Sequence, residues 1–512
     1  MSTVNSLHIF LIALIARLIA MYFNDAVAGD SVARVLITLD WLENPHVILS
    51  GVWAPFHFYL IAPVIWIFND HIVAPVFINV LLGSFTVVLV YKISEKLYDH
   101  PSAILASLIF CFIPNVFRQH MMVMAGTPMV LFMAWSIYYL ILSVKSSTEG
   151  WKYGLVAGLL YTLASGFRFE TWILMPCFAL ILIVLQKWKT LFAFVSMGVL
   201  FPISWLLTSY VDTGDFLYSI HQSAEWNIKY GGVNDDVTEP LRYARIYFQP
   251  VLLLLNLTPV LFLWFVFNYS SGLVKAKITL QQAIWLAPFI YLIAIFQYKI
   301  YTGDVNLHPR YAYTLFFLLS PHLAVLYSRK FKWLQLVALS LILYGFFSSF
   351  QSYRPKNKDS FKFHAKSQDG ISLLRQYIFS SQSAVPLLKD QKIKDVSTHI
   401  KNNLKTGDGL ILDFIAWDKA GYIRLHSGLQ RKDLLEVILT HMNYGYEARW
   451  LKEFLDARNQ GMIFLQKGSK FESEYVRIAG DEMLIDREFT LLISDKYELD
   501  PYVVYRYRYK PR

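Results

Sequence analysis

The chain has 512 residues, of which 55% are hydrophobic and only 16% charged, and its mean hydropathy is +0.40. Because soluble globular proteins carry roughly 25% charged residues, this composition excludes an ordinary soluble protein and indicates a membrane protein. The net charge is +10, but no basic-aromatic patch accompanies it, so nucleic acid is not a predicted partner.

The charges divide the chain into two predicted domains. Residues 1–350 contain 20 basic and 16 acidic side chains, whereas residues 351–512 contain 27 and 21. The charged fraction therefore rises from about 10% to about 30%, which predicts a membrane domain over 1–350 and a soluble domain over 351–512. Cys111 and Cys177 lie in separate apolar runs, and their spacing fits neither a disulfide framework nor a metal site.

Apolar runs long enough to cross a membrane follow one another through the first domain. The first is predicted to be a retained span, not a signal peptide. About eleven spans are predicted, near 7–23, 72–91, 102–117, 128–144, 153–167, 171–186, 190–210, 249–268, 281–298, 311–328 and 333–350. The segment Trp53–Phe68 is a twelfth candidate, and Pro55 and Pro63 favour an interfacial segment instead.

The basic residues orient this arrangement. With eleven spans, eleven Lys and Arg side chains fall in inner loops against three acidic ones, as the positive-inside rule requires. The N-terminus is then inside, and the C-terminal domain is outside. The other 13 acidic residues of the membrane domain fall on the outer side, where residues 24–71 and 211–248 form long segments. Loops of this length are usually functional, so the candidate site is expected on the outer face.

The first outer segment contains a candidate catalytic carboxylate. Residues 31–41 can form an amphipathic interfacial helix, which would place Asp30 at its N-cap. A cap without further function is one interpretation, and a catalytic role is the other. Asp25, Asp40 and Glu43 compete for that role.

The C-terminal domain has the pattern of a small α/β fold. Residues 409–416, 461–466 and 503–509 are predicted strands, and residues 431–441 and 446–460 are predicted amphipathic helices. No phosphate-binding glycine loop and no nucleophile elbow occur in it, so a binding or structural role is expected.

The order of the motifs in residues 1–350 resembles a known family. GDS with its helix, ENP, WAPFHFYLIAP and APVFINVLLGSFTVVLVYKISEKLY follow the first span, and SGFRFETWILMP, TGDFLYSIHQS and HPRYAYTLFFLLSP come later. This order is similar to bacterial relatives of the protein O-mannosyltransferase and aminoarabinose transferase families, in the GT-C class of integral-membrane glycosyltransferases.

The resemblance implies an inverting transfer of a sugar from a polyprenyl- or dolichyl-phosphate donor to an acceptor hydroxyl. The acceptor would be a lipid, a glycan or a protein, and the protein would act on the outer side of the cell (inner) membrane, among membrane lipids. In that family the first outer loop supplies the carboxylate that accepts the hydroxyl proton. Matched residue by residue, this role falls to Asp30.

A leaving lipid phosphate needs cations at the outer membrane boundary. Outer span ends carry several, where the positive-inside rule does not explain them. Arg310 is the strongest of these candidates, and Arg168 either binds phosphate or pairs with Glu170. Arg17, inside the first span, is expected to snorkel or to pair with an acid such as Asp25. The phosphate-binding candidates are Arg310, His308, Arg168, Arg118 and Lys299.

His57, Trp53 and Glu170 are candidate substrate-binding residues, with His57 expected at the interface, where a water partner would also explain it. The loop before the fourth span reads MVMAGTPM, without the acid that many relatives carry there. No metal or other cofactor is therefore predicted, although Glu170 or Asp235 and Asp236 could supply oxygen ligands. The alternative function is a transporter or flippase for a polar lipid or lipid-linked sugar, which would require charges and broken helices at mid-span.

Overall fold

The computed structural model of the protein describes residues 4–23, 29–49, 51–146, 148–229, 243, 246–302, 309–327, 340, 343, 391–414, 417–438 and 448–511. The chain forms two compact units. The helical unit comprises Met1–Asn24 and His46–Ala384, and the sheet unit comprises Asp25–Pro45 and Val385–Arg512. The predicted domain boundary near 350 falls outside the described residues. The sheet unit also takes in residues 25–45, which the sequence did not predict.

The helical unit is an assembly of apolar helices. Their order is α1 (Ser6–Phe23), α3 (Phe56–Phe68), α4 (Val73–Leu97), α5 (His100–Phe112), α6 (Pro114–His120), α7 (Gly126–Lys145), α8 (Gly150–Phe167), α9 (Glu170–Val184), α10 (Trp188–Gly198), α11 (Leu200–Thr213), α12 (Tyr218–Lys229), α13 (Phe248–Leu257), α14 (Pro259–Val274), α15 (Leu280–Ile284), α16 (Ala287–Thr302) and α17 (Ala312–Leu319), with 3-10 turns at Pro309–Tyr311 and Ser320–Leu326.

Among the described residues, four helical segments are long and apolar enough to cross a membrane: Val73–Leu97, Gly126–Lys145, Trp188–Thr213 and Leu280–Thr302. Two bent pairs, α5 with α6 and the first part of α13 with α14, raise this number to six. Shorter apolar helices occupy several other predicted spans. The protein is thus a multi-pass membrane protein, while the number of eleven spans stays a prediction, and span 333–350 lies almost wholly outside the described residues.

Two predicted straight spans are bent because proline lies within them. The helix over 102–117 turns by 69° between α5 and α6, where Pro114 begins the second helix. The run over 249–268 turns by 96° before Pro259. Proline lacks the amide hydrogen and clashes with the preceding turn, so it begins a new helix in both places. Pro63, by contrast, lies inside α3 and does not interrupt it. The expectation that this proline breaks the segment Trp53–Phe68 is therefore wrong.

Polar caps and small residues set where helices begin and how closely they pack. The Asp99 carboxylate accepts from the Ser102 amide at 2.9 Å and caps α5. Gly154 and Gly158 lie one turn apart on α8. A Cβ added at Gly154 would fall 2.9 Å from the Thr190 carbonyl oxygen, and one added at Gly158 would fall 2.5 Å from the Phe194 carbonyl oxygen. The backbones of α8 and α10 therefore meet directly at these glycines.

The sheet unit contains a seven-stranded mixed sheet with strand order β2-β1-β3-β7-β6-β5-β4. β1 pairs in parallel with β2 and β3, and the remaining neighbours are antiparallel. Its elements are α2 (Gly29–Glu43), α18 (Gln391–Asn403), β1 (Gly409–Phe414), α19 (Trp417–Ser427), β2 (Leu434–Ile438), α20 (Ala448–Ala457), β3 (Gln460–Gln466), α21 (Lys470–Tyr475), β4 (Val476–Ala479), β5 (Glu482–Ile485), β6 (Phe489–Leu499) and β7 (Tyr502–Lys510), with a 3-10 turn at Arg431–Asp433.

The predicted strands at 409–416, 461–466 and 503–509 are present as β1, β3 and β7, and the predicted helix at 446–460 is present as α20. The predicted helix at 431–441 is wrong. Its described part is a 3-10 turn followed by β2, in which Leu434 pairs with Leu410 of the buried strand β1. Pairing with a buried parallel strand outweighed the helical spacing of the apolar residues.

Candidate active site

Arg168 and Glu170 lie where α8 ends and α9 begins. Arg168 Nε donates to Glu170 Oε2 at 2.8 Å, and Arg168 Nη2 donates to Glu170 Oε1. The Arg168 side chain is only 17% exposed and that of Glu170 only 21%, so this is a two-point ion pair with limited access to water. Of the two interpretations of Arg168, local pairing is thus observed.

Arg310 adds a second guanidinium beside this pair. It lies in the 3-10 turn before α17, with its Cζ 5.4 Å from the centre of the Tyr311 ring. Arg168 Cζ lies 5.7 Å from the centre of the same ring, and the charge of Arg310 acts on both Arg168 and Glu170. Arg168, Glu170, Arg310 and Tyr311 form the arginine cluster, whose two cations and one carboxylate give it a net charge of +1.

The other predicted cations lie on neighbouring elements or outside the described residues. Arg118 lies in the last turn of α6, which packs against the turn that contains Arg310. Lys299 lies in the last turn of α16, the helix whose Phe296 ring centre is 6.3 Å from that of Tyr311. His308 lies outside the described residues. The structure therefore brings Arg168, Glu170 and Arg310 together, with Arg118 and Lys299 on adjacent helices.

His57 and Trp53 belong to the segment around the start of α3. His57 is completely buried, which contradicts the expectation of a histidine at the water interface. Trp53 is half-buried, and its ring centre lies 6.4 Å from that of Phe58. Both residues line packed protein in the helical unit, and their predicted role in substrate binding stays a prediction.

Asp30 belongs to the sheet unit, in the first turn of α2. The helix begins at Gly29, so Asp30 is inside it and is not the N-cap that the sequence predicted. A carboxylate in the first turn still interacts favourably with the amides and the dipole there. Of its competitors, Asp40 is engaged by Arg424 and Arg431, and burial raises the pKa of Glu43, with the nearby Asp40 carboxylate adding to the rise. Asp25 lies outside the described residues.

Arg17 is the clearest correction among the sequence predictions. It does not snorkel: it is fully buried, and its Nε donates to His120 Nδ1 at 3.0 Å. The predicted alternative, a pair with Asp25, falls outside the described residues. Because Nδ1 accepts, the hydrogen of the imidazole is on Nε2, which is 2.7 Å from the Tyr313 hydroxyl. Arg17 Nη1 also donates to the Ala13 carbonyl oxygen at 2.9 Å.

This buried chain of Arg17, His120 and Tyr313 was missed from the sequence. A Cβ at Gly83 would fall 2.3 Å from the His120 ring, so the glycine makes the space that the imidazole fills. The available signal was an arginine within an apolar helix, which requires buried hydrogen-bond acceptors. Tyr313 is three residues after Arg310, so the chain supports the same part of the helical unit as the arginine cluster.

Within the described residues, no group of three or more His, Cys, Asp or Glu side chains could hold a metal ion. Asp235 and Asp236, which the sequence offered as possible ligands, lie outside that part of the chain.

Comparison with known proteins gives one family match and several similar structures. Residues 52–207 match the family model of dolichyl-phosphate-mannose-protein mannosyltransferases. The crystal structure of ArnT from Cupriavidus metallidurans bound to undecaprenyl phosphate has a TM-score of 0.64 at 11% identity, covering 97% of this chain and 97% of that one. Its apo form gives 0.63 at the same identity and coverage.

The apo oligosaccharyltransferase of Archaeoglobus fulgidus is also similar, with a TM-score of 0.52 at 12% identity over 90% of this chain and 69% of that one. No curated protein matches the sequence significantly. The chain therefore has the fold of these membrane glycosyltransferases, and its resemblance to the GT-C class, with the protein O-mannosyltransferase and ArnT families as relatives, is confirmed.

Proposed function

We propose that the protein is an inverting glycosyltransferase that moves a sugar from a polyprenyl-phosphate donor to an acceptor hydroxyl on the outer side of the membrane. The arginine cluster is the observation that carries this proposal. Arg168, at the connection of α8 and α9, and Arg310, in the turn before α17, both lie near the Tyr311 ring, and Glu170 pairs with Arg168. Guanidinium groups are suited to bind a phosphate at the end of a lipid.

The fold and the family match support this donor class. ArnT has this fold and was crystallised with undecaprenyl phosphate, and the matched family is named for a dolichyl-phosphate sugar. In the proposed reaction the acceptor oxygen bonds to the anomeric carbon while the bond from that carbon to the phosphate oxygen breaks. Asp30 accepts the hydroxyl proton, and the lipid phosphate leaves with the electron pair, stabilised by Arg310.

The assignment of Asp30 rests on its position and charge in the first outer segment and on the family resemblance, which implies that this segment supplies the base. A single displacement at the anomeric carbon inverts the configuration, so no covalent sugar–enzyme intermediate is required. No metal takes part in this proposal, because Arg310 and Arg168 supply positive charge for the leaving group. The acceptor is proposed as a class only: a hydroxyl of a lipid, a glycan or a protein.

The experiment combines binding and transfer in nanodiscs. Arg310→Ala should weaken binding of undecaprenyl phosphate by about 1.5–3 kcal/mol, roughly 10- to 150-fold, and Arg310→Lys should weaken it less because it keeps the charge. Asp30→Asn should bind the lipid normally but transfer sugar about 10²- to 10⁴-fold more slowly. Transfer is followed with labelled undecaprenyl-phosphate mannose and aminoarabinose in membranes that contain the acceptors.

Lys152→Ala is the matched control, since this exposed cation of the helical unit pairs with Glu149 at a loop on the predicted inner side. It should change neither binding nor transfer. Unchanged binding in Arg310→Ala would remove the phosphate role from the cluster. Transfer at the wild-type rate in Asp30→Asn would remove the proposed base.

The transporter alternative gains one specific observation. Arg17 is a buried charge within α1, and two helix pairs are bent, as a transport pathway would require. A transporter would move labelled undecaprenyl-phosphate mannose between the leaflets of a vesicle without breaking the bond between the sugar and the phosphate. Flipping by the wild-type protein at an unchanged rate in Asp30→Asn, with no sugar transfer by either, would favour this alternative.

A further inference from the structure

Helix α2 is separated from the rest of the sheet unit by more than 300 residues of sequence, yet it packs within that unit. Its partner there is α19, which follows strand β1. A helix from the first outer segment is thus built into the domain that the sequence presents as a separate C-terminal cap. Because α2 contains Asp30, the packing of α2 within the sheet unit affects the position of the proposed base.

The contact between α2 and α19 is close and specific. A Cβ at Gly421 of α19 would fall 2.3 Å from Val32 Cγ1 and 3.2 Å from Leu36 Cδ1, so only glycine leaves room for α2 at this point. Val32 and Val35 are almost completely buried. The apolar stripe of α2 is therefore fitted against α19 in one register.

An ion pair fixes the other end of the same contact. Asp40 Oδ1 accepts from Arg424 Nη2, and Asp40 Oδ2 lies 3.5 Å from Arg431 Nη1. The Arg424 side chain is only 6% exposed, and its Nε also donates to the Leu429 carbonyl oxygen at 3.2 Å. Arg424 is almost completely buried and donates both to Asp40 and to the Leu429 carbonyl oxygen. Its ion pair with Asp40 therefore fixes the relative orientation of the two helices better than an exposed ion pair would.

The geometry of α2 leaves Asp30 outside this contact. At about 100° per residue, Asp30 is roughly 160° around the helix from Val32, roughly 120° from Leu36 and roughly 80° from Asp40. Val32, Leu36 and Asp40 are anchored to α19, while Asp30 lies on the side of the helix opposite Val32. An anchored helix with a carboxylate on a different face is the arrangement that holds a reactive group in a fixed orientation.

We propose that the sheet unit positions α2 for catalysis, with Arg424 as the positioning residue that fixes the orientation of Asp30 through Asp40. This inference rests on the proposed function, since it takes Asp30 as the base. It gives the C-terminal domain a direct part in transfer, in place of the capping role that its sequence suggests.

The test compares variants of Arg424 in the full-length protein in nanodiscs. Arg424→Ala should lower kcat for transfer by about 10- to 100-fold, because a small misplacement of a catalytic group costs that much. The dissociation constant for undecaprenyl phosphate should stay unchanged. Arg424→Lys should recover most of the rate, since it keeps a cation within reach of Asp40. Hydrogen exchange in residues 29–43 should rise in Arg424→Ala and leave β1 and β3 protected.

Two further variants separate positioning from simple loss of folding. Gly421→Leu displaces α2 sterically without touching a charge, and it should reproduce the lower kcat and the faster exchange of residues 29–43. Arg449→Ala removes an exposed cation of α20 that pairs with Glu453 at 3.1 Å in the same unit, and it should change neither quantity. Exchange that rises throughout the sheet in Arg424→Ala and Gly421→Leu would assign both residues to general stability and overturn the proposal.

The outcomes also distinguish this inference from the proposed function. If Asp30→Asn is inactive while Arg424→Ala and Gly421→Leu retain kcat within about twofold, the positioning role is refuted and the proposed base stands. If Asp30→Asn transfers sugar at the wild-type rate, the role of Asp30 as the base fails, and the positioning role fails with it. Absence of sugar transfer by the wild-type protein would refute the proposed function itself. Unchanged exchange of residues 29–43 in Arg424→Ala would refute the anchoring itself.

Discussion

At the scale of single residues, the sequence did not reveal the partners of the buried polar side chains. Arg17 and His120 are 103 residues apart, and their hydrogen bond depends on how α1, α4 and α6 pack. The burial of the Arg17 guanidinium is tolerated because imidazole and carbonyl acceptors receive its hydrogen bonds and the Phe117 ring lies 5.0 Å from its Cζ. The type of residue was readable from sequence, but its environment was not.

Asp413 of the sheet unit shows how burial makes one residue sensitive to pH. Its Oδ2 accepts from the Gln466 amide at 3.0 Å and from the Ser469 hydroxyl, and the side chain is completely buried. Burial raises the pKa of the Asp413 carboxyl to about 6, against the lowering effect of these two hydrogen bonds. Since the folded protein then binds more protons than the unfolded chain between about pH 4 and 6, the free energy of unfolding must fall as pH rises through that window.

We therefore expect Asp413→Asn to remove this pH dependence. In the wild-type protein, the free energy of opening at β1 and β3 should decrease by up to about 3 kcal/mol between pH 4 and 7. In the variant the contribution of Asp413 to this decrease should be absent, because the amide still accepts both hydrogen bonds and does not titrate, so that only the slope due to other groups remains. Hydrogen exchange, corrected for the intrinsic rate at each pH, measures this quantity. The same slope in both proteins would show that another group is responsible.

At the scale of elements, small residues and prolines decide how the helices meet and bend. Gly154 and Gly158 are four residues apart, and glycines at this spacing are a helix-packing signal in membrane proteins. Its partner α10 could not be identified from the sequence, because any apolar helix could have lain against it. The turn of 69° at Pro114 was equally readable as a helix boundary, but its angle depends on the neighbouring helices.

Gly158→Ala should weaken the packing of α8 against α10. The added methyl group would lie 2.5 Å from the Phe194 carbonyl oxygen and 2.6 Å from Met197 Cβ, so the helices must separate. Overpacking of this kind costs about 1–3 kcal/mol and should lower the midpoint of thermal unfolding in nanodiscs. Gly126→Ala is the matched control, because its methyl group would meet only the Tyr313 ring, at 3.4 Å. Equal midpoints for the two variants would contradict the close approach.

At the scale of the whole molecule, the charge pattern predicts which side of the membrane each segment faces. Cys111 and Cys177 are both buried, so introduced cysteines can be labelled against a low background. An impermeant maleimide added from outside should modify Asn234→Cys and Glu498→Cys and should spare Ala276→Cys. This pattern would place the second long outer segment and the C-terminal domain outside, as proposed. Labelling at position 276 in sealed cells would contradict the positive-inside argument.

The sequence by itself determined the membrane class, the presence of a small C-terminal α/β domain and the family resemblance. These properties depend on composition, periodicity and motif order, which are local along the chain. The positions of Arg168, Glu170 and Arg310 at helix ends were also readable, because apolar runs end where charged residues begin. The helix predicted at 431–441 was wrong, since pairing of β2 with β1 is a contact that local spacing does not encode.

Only the tertiary structure decided which distant residues share an environment. It joined Arg310 to the pair of Arg168 and Glu170, buried Arg17 against His120, and built α2 into the sheet unit through Asp40 and Arg424. Each of these contacts spans more than 100 residues of sequence. The free energy that selects them comes from packing and from satisfying buried charges, and both exist only after the helices have assembled.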